Sequence, residues 1–154
     1  MIKGGSVSHE NGFILMKVTV FQTEVFMLKK CLFILTLGCA GGFGTISRYG
    51  LSHLLTTFAG PRYPWGTLVV NVVGCFLFGI FAELFTTEKL DAGWKVIVLT
   101  GFLGGFTTFS AFAFELESLR GQGLHQMALL HFLGNNLLGL AAIIAGFYVA
   151  RSWF

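Results

Sequence analysis

Thr100-Gly101-Phe102-Leu103-Gly104-Gly105-Phe106-Thr107-Thr108-Phe109-Ser110-Ala111-Phe112 lies inside an apolar segment that begins near Trp94 and runs past Phe114. Its three glycines are poor helix formers, and its threonines are β-branched. An uninterrupted helix is therefore disfavoured here. If the segment crosses a bilayer, the backbone groups freed by an interruption need partners other than lipid. Such interruptions persist where they face protein, a water-filled cavity or an ion, and interrupted membrane helices commonly build ion sites. A second reading stays open, because Gly101-xxx-Gly105 also suits close packing of two helices. The hydroxyls of Thr107, Thr108 and Ser110 beside the glycines favour the ion.

The composition places that segment in a membrane. The chain has 154 residues, 55% hydrophobic and 11% charged, with mean hydropathy +0.78. Soluble domains average about 25% charged residues. One transmembrane helix takes about 20 apolar residues, so this length holds four spans with short loops and leaves no room for a soluble domain. The net charge of +3 is scattered, with no basic run, which argues against a nucleic-acid partner. Cys31, Cys39 and Cys75 lie in apolar segments without metal-ligand spacing, and read as reduced residues facing core or lipid. No nucleophile–base pair or metal-ligand cluster marks an enzyme.

The first 26 residues differ from the rest. Lys3, His9, Glu10, Asn11, Lys17, Gln22 and Glu24 interrupt short apolar patches, and no small-residue cleavage site follows. Residues 1–26 therefore read as a disordered extension, or as preceding a natural start at Met27. Met27-Leu28-Lys29-Lys30 ahead of a long apolar run looks like the beginning of a bacterial inner-membrane protein.

Residues 27–154 read as one domain with helices over about 31–58, 65–85, 94–118 and 125–149. In the first, Arg48 stands 18 residues after Lys30. That is about 27 Å of helix against a hydrocarbon core of about 30 Å, so Arg48 either snorkels at the far interface or lines a vestibule. Gly60-Pro61-Arg62-Tyr63-Pro64 is a turn, and Trp65 is an interface anchor. Asn71 is the one strongly polar residue inside the second span. It serves either as an interhelical hydrogen bond or as a pore ligand. Glu83 stands near that helix's end and is expected to be solvated. In the fourth span His131 and Asn135 are four apart and share a face, with Asn136 adjacent. Lys29, Lys30, Lys89, Lys95 and Arg151 would lie on one side of the membrane, with Arg62, Arg120 and, if it snorkels, Arg48 on the other. This bias is slight for the positive-inside rule, and a chain with so little bias is compatible with both insertions.

Three stretches resemble the motifs of one family. Gly41-Gly42-Phe43-Gly44-Thr45-Ile46-Ser47-Arg48-Tyr49 looks like its first-helix motif, and Trp65-Gly66-Thr67-Leu68-Val69-Val70-Asn71-Val72-Val73-Gly74 like its second. The opening Thr100–Phe112 stretch looks like its third. The family is the Fluc (CrcB) fluoride channels, and the resemblance covers Met27 to the end. It implies an all-α membrane protein of four transmembrane helices, with a break in the third. It further implies an antiparallel, dual-topology homodimer in the bacterial inner membrane. Two pores would export fluoride passively and protect the cell from its toxicity. By motif, a structural sodium ion at the dimer centre is held by backbone carbonyls of Gly104 and Thr107. Phe109 and Phe112 line the pores, with Asn71, Thr108, Ser110, Arg48 and Glu115 along the ion path. His131 and Asn135 fit the fourth-helix spacing, although a shift by one gives Phe132 and Asn136. Ala111 departs from the pattern, since the family often has Thr or Ser there.

These residue types suit a small, strongly hydrated anion. Asn71 offers two N–H groups, and Thr and Ser offer O–H. Phe109 and Phe112 are three apart, and an aromatic edge is positive. A phenylalanine pair alone would be core packing, and the motif is what assigns it to a pore. Arg48 and the lysines near the helix ends would draw anions to the mouth. A small dual-topology multidrug transporter would need a membrane-embedded carboxylate, and the first helix has none. A non-transporting membrane scaffold would explain the glycines but not the Asn71 and phenylalanine set.

Overall fold

In the computed structural model, residues 6–153 are described, with side chains described at 16, 17 and 21–153. The described residues are helical apart from short connections. The order is α1 (Ser6–Ala59), α2 (Trp65–Thr86), a 3-10 turn (Ala92–Trp94), a π-helix (Val96–Leu103), α3 (Gly104–Phe106), α4 (Phe109–Gly121), α5 (His125–Leu133), a π-helix (Gly134–Leu138) and α6 (Gly139–Trp153). Four stretches are long and apolar enough to cross a membrane: Phe21–Ala59, Trp65–Thr86, Ala92–Gly121 and His125–Trp153. The fold is that of an all-α, multi-pass membrane protein.

The chain divides into two compact units, Met1–Thr36 and Leu37–Phe154. In the first, the helix begins at Ser6 rather than near Cys31. The stretch Ser6–Phe26 is helical as part of α1, and residues 1–5 lie outside the described residues. The physical reason is local: this stretch has no proline, and its residues after Gly12 are ordinary helix formers or weakly disfavoured ones. Lys30 places its ammonium 4.3 Å from the Phe26 ring centre.

In the second unit the core follows α2. Leu68, Val70, Leu84 and Phe85 are buried there, with Leu103, Phe106, Phe112, Leu119, Ala128 and Ala150 from the later elements. The helix ends carry recognisable signals. Gly60 at φ +80° ends α1 ahead of Pro61, the left-handed glycine followed by proline that commonly stops a helix. Gly123 at φ +75° turns the chain between α4 and α5.

Helix α2 packs most extensively on α6. A Cβ on Gly79 would collide with the backbone oxygen of Ile143, and one on Gly146 with that of Phe76. The two backbones thus touch where their glycines meet. This approach also explains a departure from expectation at Glu83. Its carboxylate is buried and bound by Arg151, Nε to Oε1 at 2.9 Å and Nη2 to Oε2 at 3.2 Å. An isolated sequence position near a helix end suggested solvent. The closeness of α6 supplies the partner.

Candidate functional site

Gly101, Gly104 and Gly105 all lie in helical segments. Two of them serve close approach: a Cβ on Gly105 would meet the Gly41 backbone, and one on Gly101 would meet Ala40 and Leu37; Gly104 is exposed. The extended residues come just after, at Thr107 (φ −81°, ψ 158°) and Thr108 (φ −150°, ψ 121°). Asn71 of α2 faces them. Its Oδ1 accepts from the Thr108 N–H at 2.9 Å, and its Nδ2 donates to the Thr108 carbonyl at 3.0 Å. In a continuous helix the Thr108 N–H would have gone to Gly104. The Thr108 hydroxyl accepts from the Ala111 N–H at 3.2 Å, capping α4, where a continuous helix would have used the Thr107 carbonyl. The oxygens of Gly104 and Thr107 thereby lose their helical donors.

Asn71 meets the fourth span as well. Its Nδ2 donates to Asn135 Oδ1 at 2.9 Å. Both amide hydrogens of Asn71 are therefore engaged within the protein. Of the two roles open to Asn71, this geometry contains the interhelical hydrogen bond: the extended backbone at Thr108 exposes a donor and an acceptor that Asn71 satisfies. Asn135 donates to the His131 carbonyl at 3.0 Å and approaches His131 Nδ1 at 3.4 Å. His131, fully buried, places Nε2 3.3 Å from Glu115 Oε2. Thr67 donates to Glu115 Oε1 at 2.7 Å. In the fourth span Asn135 thus reaches α2, His131 turns to Glu115 of α4 and Tyr63, and Asn136 bonds back to Phe132 of its own helix at 2.7 Å.

A cavity of about 350 Å³ opens beside Asn71. Gly74, Cys75, Thr107, Thr108, Phe109, Phe112 and Asn135 are among its lining residues. The Phe109 and Phe112 rings are 5.5 Å apart and tilted by 56°. Phe112 is buried, whereas Phe109 is 78% exposed. The Thr108 and Ser110 hydroxyls lie 3.3 Å apart. A second cavity, of about 280 Å³, lies at Arg62, Tyr63, Glu115, Ser118 and Gln122. Tyr63 sets its ring 5.6 Å from that of His131, edge to face. Its phenol pKa is pushed up from the ordinary tyrosine range, by burial first and then by the Glu115 charge. Glu115 and His131 thus stand between the two cavities. Arg48 is half-buried with its Nε unpartnered, and it lines neither cavity.

Three residues of this network escaped the sequence reading. Thr67 lies four before Asn71 and shares its helix face, a signal that was available. Tyr63 comes from a turn, and Thr45 donates to the Gly41 carbonyl at 3.0 Å and reaches the Gly105 carbonyl at 3.5 Å. Neither follows a periodic pattern that would single it out.

Residues 35–147 match the family described as "CrcB-like protein, Camphor Resistance (CrcB)". The chain belongs to the CrcB family. Similar proteins include one of Nitrosococcus oceani, 46% identical over 113 residues, covering 73% of this chain and 90% of the relative. One of Solidesulfovibrio magneticus is 44% identical over 132 residues, covering 81% and 98%. One of Rhizobium etli (strain CFN 42) is 41% identical over 120 residues, covering 77% and 95%. Each of the three is called fluoride-specific ion channel FluC. The CrcB match contains Arg48, Thr67, Asn71, the whole Thr100–Phe112 stretch, Glu115, His131 and Asn135, so the network lies inside the family's own region. Arg151, the partner of Glu83, lies beyond it.

Proposed function

We propose that this CrcB chain is a passive, selective fluoride channel of the bacterial inner membrane, exporting fluoride from the cytoplasm. The observation that carries this reading is the cavity in which the Asn71–Thr108 junction, the Thr108–Ser110 hydroxyl pair and the Phe109–Phe112 rings come together. The names of the relatives point the same way. Hydroxyl donors and positive ring edges can replace the water of a small anion without a cation that would trap it. Asn71 acts chiefly by holding Thr108, so that the hydroxyl N-cap and Phe109 face the cavity. A drug-exporting transporter finds less support, since the buried carboxylate Glu83 is bound to Arg151.

The exposed ring of Phe109 and the exposed Gly104 favour completion of the site by a second, antiparallel copy. Gly104 and Thr107 present carbonyl oxygens relieved of their helical donors. Two such pairs across a two-fold axis in the membrane plane would make a set of hard oxygen ligands, which suits sodium. That ion would neutralise the carbonyl dipoles at the dimer centre. The test is efflux from liposomes holding the purified protein, with fluoride and chloride each followed by electrode. Fluoride should leave and chloride should stay. Equal chloride flux would overturn the selectivity.

A further inference from the structure

The break after Phe106 rests on two residues of α2. Asn71 holds Thr108 by its N–H and its carbonyl. Gly74 stands three residues on, on the same side of the helix, and it meets Thr107. The Thr107 N–H and hydroxyl both donate to the Leu103 carbonyl, each at 3.0 Å. With the hydroxyl turned back on its own helix, the methyl of this β-branched side chain has one direction left. It points at α2, where a Cβ on Gly74 would collide with that methyl and stand 3.2 Å from the Phe106 ring. Gly74 is buried and helical, so no left-handed backbone conformation calls for glycine there. What calls for it is the space that its missing side chain leaves to Thr107. Just beyond this contact, a ψ of 158° swings the Thr107 carbonyl out of the helical ladder. The Ala111 N–H goes to the Thr108 hydroxyl instead.

We propose that Gly74 is a positioning residue: it seats the Thr107 methyl and, together with the Asn71 clamp on Thr108, fixes the direction of the Thr107 carbonyl at the proposed sodium site. The inference rests on that sodium reading and deepens it. The Thr107 carbonyl and the Thr108 N–H belong to one planar peptide unit. Asn71 holds this unit by its N–H, and the Gly74 seat holds the residue from which it hangs. A methyl added at position 74 leaves Thr107 two responses. Rotation about χ1 takes the hydroxyl off the Leu103 carbonyl, and a backbone shift draws the Thr108 N–H away from Asn71. Either one loosens the peptide unit. Moving a methyl across the contact does neither. Gly74→Ala combined with Thr107→Ser adds carbon on α2 where it is removed from the third span. The hydroxyl bond is kept and the volume conserved, the change that cores tolerate best. Gly74 and Thr107 also line the cavity beside Asn71. Bulk in that cavity would lower flux and leave the sodium response alone.

The experiment uses the full chain. In detergent, the thermal midpoint is followed as sodium chloride replaces N-methyl-D-glucamine chloride at constant ionic strength, because an ion bound by the folded protein raises the midpoint with its concentration. Gly74→Ala should raise the half-saturating sodium concentration by roughly tenfold, the order of an overpacked contact. The double variant Gly74→Ala with Thr107→Ser should return it to within about threefold of the wild type, since the two changes touch the same contact and do not add. Fluoride efflux from liposomes should fall in the single variant and recover in the double. A wild-type sodium response in Gly74→Ala overturns the proposal, and so does a double variant as impaired as the single. Should Gly74→Ala not fold, the double variant decides: folding with a sodium response near the wild type supports the seat, and failure to fold overturns it. Should the wild-type midpoint not respond to sodium, the sodium reading itself fails. Efflux then decides the seat, with recovery in the double variant supporting it and no recovery overturning it.

Discussion

At Asn71 one side-chain amide joins three elements: its own helix α2, the extended step at Thr108, and Asn135 in the fourth span. Replacement by aspartate keeps the shape but removes both donated hydrogens and aims an oxygen at two acceptors. Leaving buried polar groups unpaired costs about 1–3 kcal/mol each, and the added negative charge repels an anion. Asn71→Asp should therefore reduce liposome fluoride efflux by roughly tenfold or more. Undiminished flux would leave Asn71 no part in the pathway. The two phenylalanines separate function from stability in a way their spacing alone does not. Phe109 is exposed and Phe112 buried. Phe109→Ile should cut flux while the thermal midpoint in detergent stays near that of the wild type. Phe112→Ile should cut flux and lower the midpoint as well, because it leaves a hole against the rings of His131 and Phe132.

At the scale of elements, the pairing of α2 with α6 holds the second and fourth spans in the register that brings Asn71 to Asn135. It depends on Gly79 and Gly146, where each backbone lies against the other. A side chain there has nowhere to go, since what it meets is main chain. Gly146→Val should destabilise the fold by about 1–3 kcal/mol or more, seen as a lowered unfolding midpoint. Flux should fall with it, because Asn135 moves away from Asn71. A variant with wild-type midpoint and flux would show that these helices do not need the contact. The third span shows a different division of labour. Gly101 and Gly105 pack against α1, while its extended residues are two threonines. Their conformation is sustained by a hydrogen bond from another helix and by the N-cap of α4.

For the whole molecule the proposed second copy makes a demand on topology. An antiparallel pair requires insertion in both directions. The slight asymmetry of lysine and arginine between the two sides is compatible with this. Single cysteines placed in the Thr87–Asp91 connection and the Gln122–Leu124 turn, in a background with Cys31, Cys39 and Cys75 replaced, report on each side of the membrane. Each position should react with a membrane-impermeant reagent from both sides in whole cells. Reaction from one side only would exclude a homodimer of this geometry, and the shared carbonyl site at Gly104 and Thr107 would need a partner chain of opposite orientation.

Four apolar stretches with few charges are enough to place this chain in a membrane, because the cost of burying charge in lipid acts on composition and length alone. The turns at Gly60-Pro61 and Gly123 were legible for a similar reason: they rest on the backbone freedom of single residues. The three motifs carried the family, and they contain most of the residues that line the cavity. Which helix each polar group meets was decided only in three dimensions. From neighbours in the sequence, Asn71 could be an interhelical bond or a pore ligand and Gly105 part of an ion site or of a packing contact, while Glu83 was expected in solvent; what each residue meets came only with the fold. In each case the deciding partner stands far along the chain: Thr108 and Asn135 for Asn71, Arg151 for Glu83, Gly41 for Gly105. A hydrogen bond or a backbone contact needs both partners in place, and a linear pattern contains only one of them at a time.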